Sequence, residues 1–398
     1  MQARTHGATR SVPFAVPDLD DDDIAAVVAA LRSGWITTGP GVKDFEAAFA
    51  RRTNAPAALG VNSGTAAMHV ALKALGIGEG DEVVTSTMTF VSTAHVIEQS
   101  GATPVLVDVD PVTLNIDPER AAEAVASRPR VRALLPVHYG GHPAAMEPLL
   151  ELAAVNGLAV VEDAAHALGA AYRGSPVGSV PDDVEDRAVA FSFYATKNLT
   201  TAEGGMLTGS RRVVDEASTW SLHGLSRDAW KRYEGAGSWF YDVTVPGFKY
   251  NMTDLAAALG LRQLARFDGL QERRREIAST YSTGLSVVPE LELPTEAADV
   301  THAWHLYPVR LRLDMLRTGR AEVIEELGRR GVATSVHFIP VHHHTYYRDK
   351  YGYAADDFPV ASAEYERLVS LPLHTRLTDD DVAYVVETVT DVVSAARQ

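Results

Sequence analysis

Cysteine is absent from the 398-residue chain, so neither disulfides nor thiolate chemistry contribute to it, and the redox compartment stays open. Basic charge is also in short supply. The 36 Lys and Arg residues are outnumbered by 52 Asp and Glu, a net charge of -16, which excludes nucleic acid or an anionic membrane as the main binding surface. A local basic pocket for an anionic substrate remains compatible with that balance. No apolar run reaches the ~18 residues of a membrane span, and the start "MQARTHGATRSVPFAVPDLDDDD" has no apolar core of signal-peptide length. These absences suggest a cytoplasmic location. The scarcest basic residue is lysine, present only as Lys43, Lys73, Lys197, Lys231, Lys249 and Lys350.

What is present is a large apolar fraction, 46%, enough for a substantial core and for two domains. After "DLDDDD", an acidic helix start, Ile24, Val27, Val28 and Leu31 share one helix face. The stretches "AALGV", "DEVVTS", "TPVLVDVD", "VRALLPVH" and "LAVVEDA" read as strands separated by helical segments. That alternation predicts an α/β fold with a mainly parallel sheet covered by helices on both faces. "AVAFSFY" and "GGMLTG" follow with no room for a helix between them. Beyond residue 250 the texture changes to an arginine-rich helical segment, two strand-like stretches and a final helix carrying Val382, Val385, Val386 and Val389. The expected organisation is an arm over 1–12, a large domain over 13–250 and a smaller α+β domain over 251–398.

In an open parallel sheet, ligands gather beyond the carboxyl ends of the strands. Three groups fall there. In "GVNSGTAAM", Gly64 and Thr65 sit where a strand turns into a helix, which suits a phosphate cup but also an ordinary capping turn. In "VVEDAAHALGA", Asp163 ends an apolar strand and needs a cationic partner, with His166 three residues on; a capping Asp with a packed His is the plainer alternative. In "FSFYATKNLTTAEGGMLTG", Lys197 occupies a loop where a solvated cation would more often be arginine in this chain. An amine, unlike a guanidinium, can lose its proton and form a Schiff base. The adjacent histidines of "VHHHTYY" offer metal binding or substrate contact. Cup, carboxylate and lysine together match one cofactor, pyridoxal 5'-phosphate, with Phe90 placed to stack on its ring.

"NSGTAA", "EDAAHALGA", "SFYATKNLTTAEGG" and "PGFKYNMTD", in this order, resemble the DegT/StrS family of nucleotide-sugar aminotransferases. The resemblance implies the fold of fold-type I pyridoxal phosphate enzymes, with a seven-stranded sheet. It implies that Lys197 forms the Schiff base, Asp163 pairs with the pyridinium nitrogen, and His166 lies near the phenolic oxygen. Phe90 would stack on the ring, and Gly64, Thr65 and Ser192 would meet the phosphate. Asn251, in "KYNMTD", would reach the phosphate in the neighbouring subunit of a homodimer. "PVHYGG", "HGLSRDAW", "HAWHL" and "SVHFIPVH" resemble members that aminate a 4-keto nucleotide sugar with L-glutamate as donor, a 3-keto sugar being the alternative. The substrate contacts implied are Thr38, His138, Tyr139, Arg227, Lys231, His337 and His342. A different pyridoxal phosphate enzyme and a non-catalytic relative stand as the rival readings.

Overall fold

Seven strands form the central sheet: β1 (Ala57–Val61), β2 (Glu82–Ser86), β3 (Thr103–Val107), β4 (Val131–Leu135), β5 (Ala159–Asp163), β6 (Arg187–Ser192) and β7 (Gly205–Gly209). The computed structural model describes residues 10–225 and 241–398. Expected substrate contacts Arg227 and Lys231 lie outside the described residues. The spatial order is β1-β7-β6-β5-β4-β2-β3. Strand β7 alone runs antiparallel to its neighbours, β1 and β6, while the remaining pairs are parallel. The segment from Ser192 to Gly205 holds no helix, and a parallel return within one sheet needs a crossover, usually helical. The chain therefore doubles back.

Strands β2, β5 and β7 are buried along their whole length, because helices cover both faces of the sheet. The period of two sends neighbouring residues to opposite cores. Val83, Leu135 and Val161 meet Met68, Val70 and Leu72 of helix α3 (Gly64–Ala74) on one side. Val84, Leu134 and Val160 meet Leu149 and Ala153 on the other. Nearby, Phe191 and Met206 pack with Phe45 and Phe49 of helix α2 (Pro40–Thr53).

Helix α1 (Asp21–Ser33) starts at a capping box between Asp20 and Asp23. Its apolar face is not used as the periodicity suggests. Ile24 and Leu31 are more than half exposed, and the buried residue is Asp23. The cause is that Arg266 and Gln263 bind the Asp23 carboxylate and turn that side of the helix inward.

A second core gathers Tyr281 and Leu285 of the helix Phe267–Leu285 with Tyr307, Val309 and Val369 of a small antiparallel sheet. Val382, Val385 and Val389 of the last helix, Asp379–Ala395, complete it, and Val12 enters from the opposite end of the chain. Helix Asp254–Ala265 follows the expected boundary at 250/251, yet its Ala257 packs with Phe45 and Phe49 in the core of the large sheet. The change of packing therefore comes later than the change of sequence texture.

Under the sheet, on the face opposite Asp163, Glu162 is fully enclosed. It accepts from Arg187 Nε at 2.6 Å and lies 2.9 Å from His138 Nε2. The Ala144 N–H donates to His138 Nδ1, so Nε2 carries the ring proton toward Glu162. Burial alone would raise the Glu162 carboxyl, but Arg187 and His138 overcome it and hold it at about 2. A folded value below the ordinary carboxylate value gives stability that is present above about pH 4.5 and fades toward pH 2. Replacing Glu162 with Ala leaves a guanidinium without its partner, and denaturant unfolding should show a loss of about 3 kcal/mol or more. A change under about 0.5 kcal/mol, the size of an ordinary surface substitution, would refute this role.

Candidate active site

The carboxyl ends of β1, β5 and β6 converge on a cavity of about 410 Å³. Its wall includes Gly64, Thr65, Phe90, Asp163, His166, Ser192, Lys197, His305, His337 and Phe338, which brings all three sequence groups into one space.

At one end lies the start of α3. Ser63 caps the helix by accepting the Ala66 N–H at 3.1 Å. The N–H groups of Gly64 and Thr65 make no hydrogen bond among the described residues. Free amides at a helix start attract an anion. Two glycines make the approach possible. A Cβ on Gly64 would lie 2.8 Å from Ser192 Cβ, and one on Gly205 only 2.4 Å from the Ser63 carbonyl carbon. The antiparallel β7 thus presses the helix start against Ser192.

At the other end stands Asp163, 5% exposed. Its Oδ2 accepts from Thr93 Oγ1 at 2.8 Å and its Oδ1 from the Ala165 N–H at 3.1 Å. Thr89 in turn hydrogen-bonds Thr93. No guanidinium or ammonium forms an ion pair with Asp163 among the described residues. A buried carboxylate held by neutral donors and facing a cavity is a receptor for a cation.

Lys197 is partly accessible through the cavity and enclosed by protein elsewhere. Desolvation lowers its amine to about 8, with Asp163 opposing the shift. Histidines surround it. Burial, then Lys197 and His337, push His166 well below its ordinary value. Burial does the same to His305, with His166 and Lys197 adding to it. His337 falls to about 4 by burial and by Lys197. These rings are neutral near pH 7, so the amine is the titrating group.

Two expected substrate motifs turn out to be scaffolding. Gly140 O accepts the N–H groups of both His305 and Leu306, and Gly141 O accepts that of Ala303. The Gly140 N–H donates to His166 Nδ1. Gly141 has φ +99°, and a Cβ there would lie 2.9 Å from the His166 carbonyl oxygen. "PVHYGG" and "HAWHL" are therefore interlocked behind His166, whose ring lies 4.3 Å from that of His305 and stacks on Phe338 at 5.7 Å.

His337 lines the cavity as expected, but His138, Tyr139 and His342 do not. His138 is fully buried in the Glu162 network. The Tyr139 hydroxyl donates to the His337 carbonyl, which steadies the cavity wall from behind. His342 is 1% exposed, between Thr87 at 2.7 Å and Ser362 at 3.0 Å. Thr38 and Asn251 also lie outside this chain's cavity, and the Asn251 amide donates to Thr38 Oγ1 at 2.6 Å. Among the described residues no group of three or more His, Asp or Glu could hold a metal ion. Sequence reasoning missed Thr93, His305 and Phe338. The last two sat inside quoted motifs, whereas Thr93 had no signal, since only folding brings it to Asp163.

The arrangement fits pyridoxal 5'-phosphate on its own chemistry. Free amides and Ser192 suit the phosphate, Asp163 lacks the cation that a protonated pyridine would supply, and Lys197 offers a titratable amine. The model of the DegT/DnrJ/EryC1/StrS aminotransferase family matches residues 17–390, and the chain belongs to that family. It is 48% identical over 398 residues, 100% of both chains, to the spore coat polysaccharide biosynthesis protein SpsC of Bacillus subtilis (strain 168). Its structure is similar to a putative sugar aminotransferase of Streptococcus pneumoniae in a PMP form, with TM-score 0.89 and 35% identity over 97% of this chain and 100% of that one. The PLP form of that protein gives the same TM-score and identity, over 98% and 100%. Helicobacter pylori PseC, an aminotransferase involved in the biosynthesis of pseudoaminic acid, has TM-score 0.88 at 26% identity, over 97% and 100%.

Because a side chain at position 205 would displace Ser63 and the helix start, Gly205→Ala should bind pyridoxal 5'-phosphate more weakly. A displacement costing about 1.4 kcal/mol lowers affinity about tenfold. Equilibrium dialysis measures it, with circular dichroism to confirm folding. Unchanged affinity would show that the close approach of β7 does not shape the cup.

Proposed function

We propose that this member of the aminotransferase family is a cytoplasmic, homodimeric enzyme that moves the amino group of L-glutamate onto a nucleotide-linked 4-keto-6-deoxy sugar. The product would be a 4-amino sugar for an antibiotic or a cell-surface glycan. The observation that carries the transaminase reading is the meeting, in one cavity, of unfilled helix amides, a buried carboxylate without a cation, and a lysine amine lowered to about 8. The name of SpsC supports a glycan product. For the sugar's keto position the support is the resemblance of "PVHYGG", "HGLSRDAW" and "HAWHL" to members that aminate 4-keto sugars, since the first and last of these hold the cavity wall and not the sugar.

When bound, pyridoxal 5'-phosphate supplies an aldehyde that carries nitrogen and a ring that accepts electrons. The protein supplies the rest. Gly64 and Thr65 amides and the Ser192 hydroxyl hold the phosphate. Asp163, kept in place by Thr93 and the Ala165 N–H, would keep the proton on the pyridine nitrogen. His166 accepts at Nδ1 from Gly140, so its Nε2–H is the donor it would offer to the phenolic oxygen. Lys197 would hold the aldehyde carbon through its amine, and Phe90, on the cavity wall, would cover the ring. A free Lys197 amine would be the base that takes the proton from the donor's α-carbon and holds it for return. Amination of the keto sugar uses the same groups in reverse order. Since the amine titrates near 8, its proton-removing fraction grows as pH rises through that value.

A second copy of the chain is supported by two observations. Ile24, Leu31, Trp35 and Ile36, on and just after helix α1, are exposed large apolar side chains, and Asn251 lies outside the wall of its own cavity. Lys197→Ala and Asn251→Glu should each be inactive, the second because a carboxylate repels the phosphate. Mixed after subunit exchange, they should regain about a quarter of the sites, since a two-fold heterodimer gathers both lesions in one site. Proven exchange without recovery would confine Asn251 to its own subunit.

The substrate is tested by incubating the pyridoxamine form with matched 4-keto and 3-keto nucleotide sugars and following the cofactor's absorbance. Faster return with the 4-keto sugar is expected. The opposite preference would reject the position and leave transamination intact.

A further inference from the structure

The buried face of the cavity contains a hydrogen-bond chain that fixes the protonation of one histidine. Asn198, next to Lys197, donates its amide to the Ala303 carbonyl at 2.8 Å and to Gln271 Oε1 at 3.2 Å. Gln271 donates to the same Ala303 carbonyl at 2.7 Å, so its amide orientation is set as well. With both amide hydrogens of Asn198 directed this way, its Oδ1 is an acceptor, and it lies 3.0 Å from His305 Nδ1. The proton of the neutral ring must therefore sit on Nδ1, and His305 Nε2 carries a bare lone pair.

That lone pair has no partner among the described residues, and Nε2 is not sealed from the cavity that His305 lines. His166 does not claim it. The two rings overlap at 4.3 Å and 36°, and the His166 Nε2–H lies in its own ring plane. Lys197 Nζ also lacks a hydrogen bond among the described residues and opens to the same cavity. The His305 backbone is anchored on both sides, through its N–H to Gly140 and through its carbonyl to Arg274. His305, with an open acceptor, and Lys197, with open donors, thus line one cavity, close enough for the lysine charge to act on the ring.

We propose that His305 is a positioning residue for Lys197: its Nε2 accepts an N–H of the amine whenever Lys197 is released from the cofactor, and so aims the nitrogen lone pair at the carbon whose proton moves. The inference rests on Lys197 being the base. The other titratable groups lining that cavity are Asp163, His166, Tyr194, Glu203 and His337, with Arg274 on the His305 carbonyl. Of these, His166 is occupied at Nδ1 by Gly140 and offers a donor, and Asp163 is held by Thr93 and Ala165. An acceptor for an ammonium favours the charged form, so His305 raises the affinity of Lys197 for its proton while orienting it.

The two ring nitrogens can be separated by substitution. His305→Asn keeps a donor where Nδ1 meets Asn198 and removes the acceptor at Nε2. His305→Gln keeps an acceptor near Nε2 and loses the link to Asn198. In the pyridoxamine-loaded enzyme, trace acetylation across pH with mass spectrometry of the Lys197 peptide reads the amine's titration directly. His305→Asn should shift that titration to lower pH and lower kcat about tenfold or more with KM little changed, as a misaimed base would. His305→Gln should stay within about threefold of the parent in kcat and keep the parent titration. A greater loss in Gln than in Asn, or an unshifted titration in Asn, would overturn the proposal and leave His305 as packing alone. Borohydride reduction of the resting enzyme separates this from failure of the underlying reading: cofactor found on Lys197 in all three proteins upholds Lys197, whereas its absence from Lys197 in the parent removes both.

Discussion

The site depends on a carboxylate buried without a cation. Ionised Asp163 costs several kcal/mol to enclose, and the protein returns only two neutral hydrogen bonds, from Thr93 and the Ala165 N–H. Those donors stabilise the negative charge but leave its field directed into the cavity. A protonated pyridine would complete the pair, and on the proposed reading cofactor binding and charge compensation are one event. The fold makes this possible by ending β5 at Asp163 while sending Glu162 to the opposite face. There Glu162 meets a guanidinium of its own in Arg187. Adjacent carboxylates on one strand thus have opposite fates, one neutralised by the protein and the other reserved for a ligand.

Opposite that carboxylate, the backbone supplies a receptor for negative charge. The free amides of Gly64 and Thr65 need no basic side chain, which matters in a chain of net charge -16. Their position follows from topology. Because β7 runs antiparallel between β1 and β6, its Gly205 end lies against Ser63 and sets the helix start beside Ser192. The cavity's polarity is therefore built into the sheet, with free amides beyond the end of β1 and a carboxylate at the end of β5.

Much of this was legible along the chain. Strands β1 to β7 announce themselves as short apolar runs, and the parallel sheet follows from their alternation with helices. Lys197, Asp163 and Gly64, which line one cavity, stood out because each is chemically odd in its place: a lysine among arginines, a charge ending an apolar strand, a glycine where a strand becomes a helix. His138 and Tyr139 misled for a physical reason. A histidine or tyrosine in a loop after a strand suits both substrate contact and internal support, and only three-dimensional packing shows that Glu162, Ala144 and the His337 carbonyl use those polar groups first. Thr93 was invisible because its meaning arises entirely from a contact 70 residues away in sequence. The apolar stripe of α1 was read correctly as a stripe, but its direction is set by the burial of Asp23 against Arg266, a long-range ion pair that periodicity cannot encode.

The histidines around Lys197 show how the remaining electrostatics are arranged. Cationic rings in contact with a lysine would repel it and compete with the pyridine for Asp163. Burial prevents this by holding His166, His305 and His337 neutral, so they offer hydrogen-bond direction without charge. The hydrogen bonds then assign different roles to similar rings: Gly140 makes His166 a donor into the cavity, and Asn198 makes His305 an acceptor. Desolvation of the amine acts in the same sense, bringing Lys197 down to about 8, where it can both take up and release a proton near neutral pH. Arginine at that position would stay charged. The presence of a lysine here, in a chain that otherwise favours arginine, thus has a chemical explanation, since the cavity needs a cation that can cease to be one.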